Sequence, residues 1–226
     1  MRGRQREYTP RSTSQSRKST LPIAIKITNE LKLTMEQCPR NGRSCSYAQD
    51  NMMPNDLERD KVQGLSAERV SSSIPKANAA STWTYPSAQM FYAALERKGQ
   101  KLPDKQDMDA ILAIHNIVNE QTWQAVLRWE KTHLNEGEDV KLERFLGRPD
   151  ATSPRAWFRH HLMGYKRPFD RHDWYVRRAG GELVRYVIDY YEGKQVLEGV
   201  PAVYIDARPA LDTFAALRDR LSFLFN

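Results

Sequence analysis

Cysteine is nearly absent: 226 residues contain only Cys38 and Cys45. A disulfide-stapled fold is therefore excluded, and so is a multi-cysteine zinc or iron–sulfur site. Long apolar runs are missing too. None approaches the ~20 residues a membrane-spanning helix needs, so any membrane attachment is peripheral. Acid is scarce at the start of the chain, where Glu7 is the one acidic residue among the Arg and Ser of positions 1–20. That composition suits a mitochondrial transit peptide or a disordered basic tail, without a convincing apolar face to choose the former. No internal repeat is present.

What the chain does have is a polar but foldable composition. Hydrophobic residues make up 40%, mean hydropathy is −0.71, and 35 basic against 28 acidic residues leave a net charge of +7. The excess favours anionic partners without choosing among nucleic acid, anionic lipid and a carboxylated small molecule. The length allows one domain with a real core plus a tail.

Residues 1–80 read as mostly disordered, rich in Ser, Arg, Asn and Pro, with apolar residues that keep neither a helical nor a strand period. A weak alternation over 21–33 is the one strand-like exception. The folded domain is predicted over 81–226, beginning near Trp83. A helix starts at Pro86-Ser87 and stops at Gly99. A longer one runs from Asp104 or Asp107 to about Lys131, with Ile111, Ile114, Val118, Ala125 and Trp129 as its apolar stripe. Ser153-Pro154 opens a helix through about Met163. Strands follow at 174–178 and 183–191, joined by a turn at Ala179-Gly180-Gly181-Glu182, then a third at 203–206. A last helix follows Pro209, with Asp212 as N-cap and Phe214, Leu217, Leu221 and Leu224 on one face. The predicted class is α+β: helices packed with a small antiparallel sheet and a C-terminal helix.

His115 borders the apolar stripe of the long helix. A neutral imidazole there suits an axial bond to heme iron, since the apolar surroundings would bury the porphyrin. It equally suits a core or surface histidine bonded to a neighbour. Asn119, four residues on, can hold the second ring nitrogen. Glu120, five residues on, is turned about 140° away on an ideal helix and reads as a solvated charge beside Asn116. Arg171 and Arg177 have the chemistry to grip heme propionates. Asp170, His172 and Asp173 suit acid–base work, the orientation of those arginines, or a polar network before a strand. Trp83, Tyr85, Phe91, Trp123, Trp157 and Trp174 offer flat apolar surface, for a core or for a porphyrin. Cys38-Pro39 has the form of a heme-regulatory dipeptide. A plain thiol and a short disulfide to Cys45 are the alternatives.

Several motifs in one order carry a resemblance. They are Trp83-Thr84-Tyr85-Pro86-Ser87-Ala88-Gln89-Met90-Phe91; Ile114-His115-Asn116 with Asn119-Glu120-Gln121-Thr122-Trp123 and Leu127-Arg128-Trp129-Glu130; Ser153-Pro154-Arg155-Ala156; Met163-Gly164-Tyr165; the segment from Pro168 through Trp174; Arg185-Tyr186-Val187-Ile188-Asp189-Tyr190-Tyr191; and Asp206-Ala207-Arg208-Pro209-Ala210-Leu211-Asp212. Asn51-Met52-Met53-Pro54 and Ser73-Ile74-Pro75 extend them upstream. Together they resemble the holocytochrome c synthase, or cytochrome c heme lyase, family over about residues 51–221.

The resemblance implies an enzyme at the intermembrane-space side of the mitochondrial inner membrane that binds heme b and apocytochrome c together. It joins the heme vinyl groups to the cysteines of the cytochrome's CXXCH motif through thioether bonds. The cytochrome's N-terminal helix is the main recognition element, and cytochrome c1 is a second candidate partner. The family's axial histidine falls on His115, with the CXXCH histidine opposite. Catalytic roles fall on His115, Asn119 and Glu120. Heme contacts fall on Trp83, Tyr85, Asn116, Trp123, Arg171, His172, Asp173, Arg177 and Cys38. Three features depart from the family: no tryptophan-containing insertion follows Gly99, a single Cys-Pro pair is present, and the end lacks an aromatic-rich stretch. The alternative is a heme carrier or sensor that forms no bond; nucleic-acid binding has no motif to support it.

Overall fold

In this computed structural model the described residues are 62–97, 101–134, 139–148, 151–193 and 202–225. The strand expected within 21–33, the Asn51 motif and Cys38 lie outside them. In chain order the elements are β1 (Ser71–Pro75), β2 (Thr82–Thr84), α1 (Ala88–Arg97), a 3₁₀ turn (Lys105–Asp107), α2 (Met108–Glu130), β3 (Lys141–Gly147), α3 (Pro154–Met163), β4 (Asp170–Arg177), β5 (Leu183–Glu192), β6 (Val203–Pro209) and α4 (Phe214–Phe225). β1 and β2 form a small antiparallel pair, and β3-β4-β5-β6 form an antiparallel sheet in that order. The class is α+β, as the sequence predicts.

The main sheet separates two environments, because successive side chains point to opposite faces. On one face Trp174, Val176, Tyr186, Ile188 and Tyr190 pack against Val118, Trp123 and Val126 of α2. Tryptophan and tyrosine supply the largest buried surfaces in this layer. Trp129 ties α2 to the edge strand by donating Nε1–H to the Ala207 carbonyl at 2.7 Å. A second, smaller cluster joins Ala88, Phe91 and Leu95 of α1 to Met108 and Ile111 of α2.

The other face is ionic. Buried Asp173 meets Arg148 at 3.1 Å, Arg171 at 3.1 Å and Arg185 at 2.8 Å. Asp189 and Ser153 meet the buried Arg208. Asp206 faces Arg155 at 3.5 Å and Arg159 at 3.2 Å. These contacts fasten α3 onto the sheet. Ser153 starts that helix by accepting the Ala156 N–H at 3.1 Å, Pro154 fits the first turn, and Gly164 ends it at φ 70°, where a side chain would be strained.

Four local readings need correction. The ordered part extends upstream of Trp83: β1 lies at 71–75, and its buried positions are Ser72 and Ile74, a half-polar alternation that hydrophobicity does not reveal. β3 at 141–147 stands where the sequence shows no strand period. A register shift between Leu142 and Arg144 puts Phe145, rather than Arg144, opposite Trp174, and such a bulge breaks the period of two. β4 begins at Asp170, four residues before the predicted start. Finally, Thr213 caps α4 by accepting the Ala216 N–H at 3.1 Å, while Asp212 is drawn into a two-pronged pair with Arg185 at 2.7 Å per contact. The Phe214, Leu217 and Leu221 face of α4 is exposed; the helix is seated instead by Ala216, by Arg220 on the Pro209 carbonyl and by Phe223 stacked on Trp129 at 4.0 Å.

Candidate functional site

His115 is half-buried on α2. Tyr85, which follows β2, turns its ring edge-on to the imidazole at 6.2 Å, and Phe91 of α1 does so at 5.2 Å. Nδ1 lies 3.2 Å from Asn116 Oδ1, and the Asn119 amide nitrogen lies 3.3 Å from Nε2. With that amide arrangement the ring proton sits on Nδ1 and the lone pair on Nε2. Asn119 also donates to the His115 carbonyl at 2.8 Å, so its shorter bond would survive if a metal displaced its weaker one. The i+4 relation predicted for Asn119 is present.

Glu120 is turned away from the imidazole, as ideal helix geometry requires, yet it is no solvated charge. It accepts from Ser72 Oγ at 2.6 Å, from the Ser73 amide at 3.1 Å, from the Ser73 hydroxyl and from Tyr85 O–H at 2.8 Å. One carboxylate thus pins β1 to α2 and fixes the ring that flanks His115. Burial opposes its charge, but the bonds from Ser72, Ser73 and Tyr85 together hold its pKa below the ordinary value. Burial, and then the neighbouring Glu120, push the Tyr85 hydroxyl up, so Tyr85 stays a donor.

The sign of the Glu120 shift sets a pH test. A carboxylate whose folded pKa is depressed stabilises the fold above its ordinary value and loses that contribution as pH falls through the lowered one. Glu120→Gln is expected to melt about 1–2 kcal/mol below the parent at neutral pH. The gap should close in acid. A gap that persisted unchanged into acid would show that the charge is not what holds β1.

Beside Tyr85 and Glu120 runs an open groove of about 470 Å³, with Val70, Asn116 and Ile117 in its walls. Val70 and Ile117 are more than half exposed. That side of α2 is therefore an open surface and not a closed pocket, and His115 is not among its walls.

The other predicted heme contacts fall elsewhere. Trp123 and Trp174 are core residues, exposed by 3% and 1%, with no ring face left for a porphyrin. Trp83 packs edge-on to Phe145 at 5.8 Å and donates to the Leu142 carbonyl, because the end of β1 bridges to β3 at Lys76 and Leu142. Trp157 is exposed and stacks on His161. Arg171, Asp173 and Arg177 alternate onto the ionic face of the sheet, away from α2. Arg177 pairs with Glu143 and Arg171 with Asp173. His172 and Asp170 point to the α2 face, 3.0 Å apart, with the His172 ring edge-on to Tyr190. Tyr190 in turn meets Thr122 of α2 at 3.1 Å. Sequence reading missed Ser72 and Ser73 as partners of Glu120. The Ser-Ile-Pro motif was the available signal.

Among the described residues no three His, Cys, Asp or Glu side chains gather as they would around a bare metal ion. His115 suits one axial bond to an iron already held by its own macrocycle.

Residues 2–224 match the family model described as cytochrome c/c1 heme lyase. The chain is 43% identical over 197 residues to the holocytochrome c-type synthase of Bos taurus, covering 82% of this chain and 71% of that protein. It is 42% identical to the holocytochrome c-type synthase of Homo sapiens over 82% of this chain and 73% of that one. It is 38% identical to the holocytochrome-c synthase of Saccharomyces cerevisiae over 76% and 73%. No solved structure matches.

Proposed function

The chain belongs to the cytochrome c/c1 heme lyase family, and on that premise we propose that it is the enzyme that joins heme b to apocytochrome c through thioether bonds. The reaction is an addition: each CXXCH thiol adds across a vinyl group, sulfur bonding one carbon while the proton ends on the other. No electrons are gained or lost. Residues 62–226 contain no cysteine, so the sulfur belongs to the partner. The enzyme's contribution is to hold sulfur and vinyl carbon together, which replaces a costly encounter.

The observation that carries the reading is the orientation of His115. Its Nε2 lone pair is set by Asn116 and Asn119, its ring is flanked by Tyr85 and Phe91, and Glu120 fixes that flank. Glu120 and Asn119 act as positioning residues. The role is one of templating: the half-buried His115 leaves room for a bound cytochrome segment, whose CXXCH histidine would supply the second ligand to the iron. Cytochrome c1 is a further candidate substrate. The site of action in this reading is the intermembrane-space side of the mitochondrial inner membrane. Attachment there is peripheral, since no described helix is long and apolar enough to cross a membrane.

Co-expression with a CXXCH-containing cytochrome tests the reading. Heme that stays on the cytochrome through denaturation is expected. Heme held only by this chain, and lost on denaturation, would favour a non-covalent carrier. Because Arg177 lies on the ionic face and is paired with Glu143, Arg177→Ala is expected to leave heme retention within about twofold. A larger loss of the heme absorption band would return Arg177 to the propionate contacts.

A further inference from the structure

We propose that the outward side of α3, with the turn that follows it, is a docking surface for an anionic lipid bilayer. Residues 151–169 contain Arg155, Arg159, Lys166, Arg167, His160 and His161 and no acidic residue. In the same stretch Trp157, Phe158, Leu162, Met163 and Tyr165 are exposed by 53%, 51%, 66%, 56% and 54%. Five large apolar side chains within nine residues are far more than the scattered singles of an ordinary surface.

Apart from Trp157 on His161 and Tyr165 beneath Arg159, the helix leaves these side chains in solvent. Its one buried residue is Ala156, and its attachment is ionic, through Ser153, Arg155 and Arg159 to Asp189 and Asp206. The apolar side is therefore left over, on a helix of 10 residues that is too short to span a bilayer. Aromatic rings among basic residues are the composition of a helix lying in the headgroup region. Arg155 and Arg159 are paired with Asp206, so the outward charge comes from Lys166 and Arg167; the Lys166 pair with Glu192 at 3.3 Å is largely exposed and contributes little.

Composition favours a bilayer over an acidic peptide. Five exposed apolar side chains accompany the basic ones, an excess that the boundary between headgroups and acyl chains takes up and an acidic strand does not. α3 also sits on the ionic face of the sheet, opposite α2. A chain held by α3 keeps the His115 side turned away from the membrane and open to its reactants. The inference gives a surface to the peripheral attachment proposed above and uses no heme chemistry.

The test is flotation of the full chain with vesicles of phosphatidylcholine, with and without phosphatidylglycerol. Binding is expected only with the anionic lipid. Lys166→Glu/Arg167→Glu should weaken it at least about 25-fold, at roughly fivefold per basic residue lost. Trp157→Ser/Leu162→Ser should weaken it at least about tenfold. Heme attachment measured without membranes should be unchanged in both, so this proposal and the enzymatic reading can fail separately. Brominated lipid should quench wild-type tryptophan fluorescence, and Trp157→Phe should abolish most of that quenching. Flotation unaffected by both double substitutions, or equal with phosphatidylcholine alone, overturns the proposal. So does a variant that floats normally but no longer captures apocytochrome, which would assign the face to a peptide.

Discussion

His115→Ala protein, purified after expression with heme available, is expected to lose its heme absorption band and to mature no detectable cytochrome c. The loss should be at least about 100-fold, since groups that merely support a metal ligand already cost 10- to 100-fold when removed. Alanine leaves the rest of the site in place. Glu120 would still hold Ser72, Ser73 and Tyr85, and α1 would still pack through Phe91. The melting temperature should thus move little, and the defect should be one of ligation. Adding imidazole, which can enter the space vacated beside Tyr85, should restore part of the absorption band. A variant that kept its band and its maturation activity would remove His115 as the iron anchor, and the templating reading with it.

The second large effect concerns stability. Glu130, at the end of α2, is fully buried. It pairs with Arg178 at 2.6 and 3.0 Å and accepts the Tyr186 hydroxyl. Burial, and then Glu130 itself, push the Tyr186 proton towards permanence, so the tyrosine is a fixed donor. Removing the carboxylate takes two bonds from a guanidinium that is only 11% exposed and leaves it with Glu182 at 2.9 Å and Asp219 at 3.5 Å. Breaking one side of such a pair costs about 3–5 kcal/mol, or roughly 10 °C in melting temperature for a domain of this size. Glu130→Ala should show that drop in a thermal melt. The double variant Glu130→Leu/Arg178→Met should recover part of it, because the two buried charges leave together and Asp219 keeps His133 at 2.9 Å. A single variant within 1 kcal/mol of the parent would mean that water reaches this site.

Legibility from sequence followed periodicity. α2 and α3 were readable because their apolar stripe or their Ser-Pro cap is local. The β4–β5 turn was readable because Gly181 takes a positive φ of 84°, which glycine alone adopts freely. β3 was hidden by its bulge and β1 by its buried serine. For the site, the i+4 rule correctly set Asn119 beside His115. The same geometry pointed Glu120 away but could not say toward what, since its donors lie 35 to 48 residues upstream. The arginines were the harder case. Their chemistry suits carboxylates of any origin, and only the pleat of β4 reveals that Arg171 and Arg177 meet the protein's own acids.

The Glu120 contact also orders events in time. Ser72 and Ser73 leave the ribosome well before the carboxylate that fastens them, so β1 has only its pairing with β2 until α2 has been synthesised past Glu120. Its docking onto α2 is a closure over 48 residues of chain rather than a local turn. A chain shortened past Pro75 should still build the sheet and α2, yet leave Glu120 without its serine donors and the Tyr85 backbone N–H without the Val70 carbonyl.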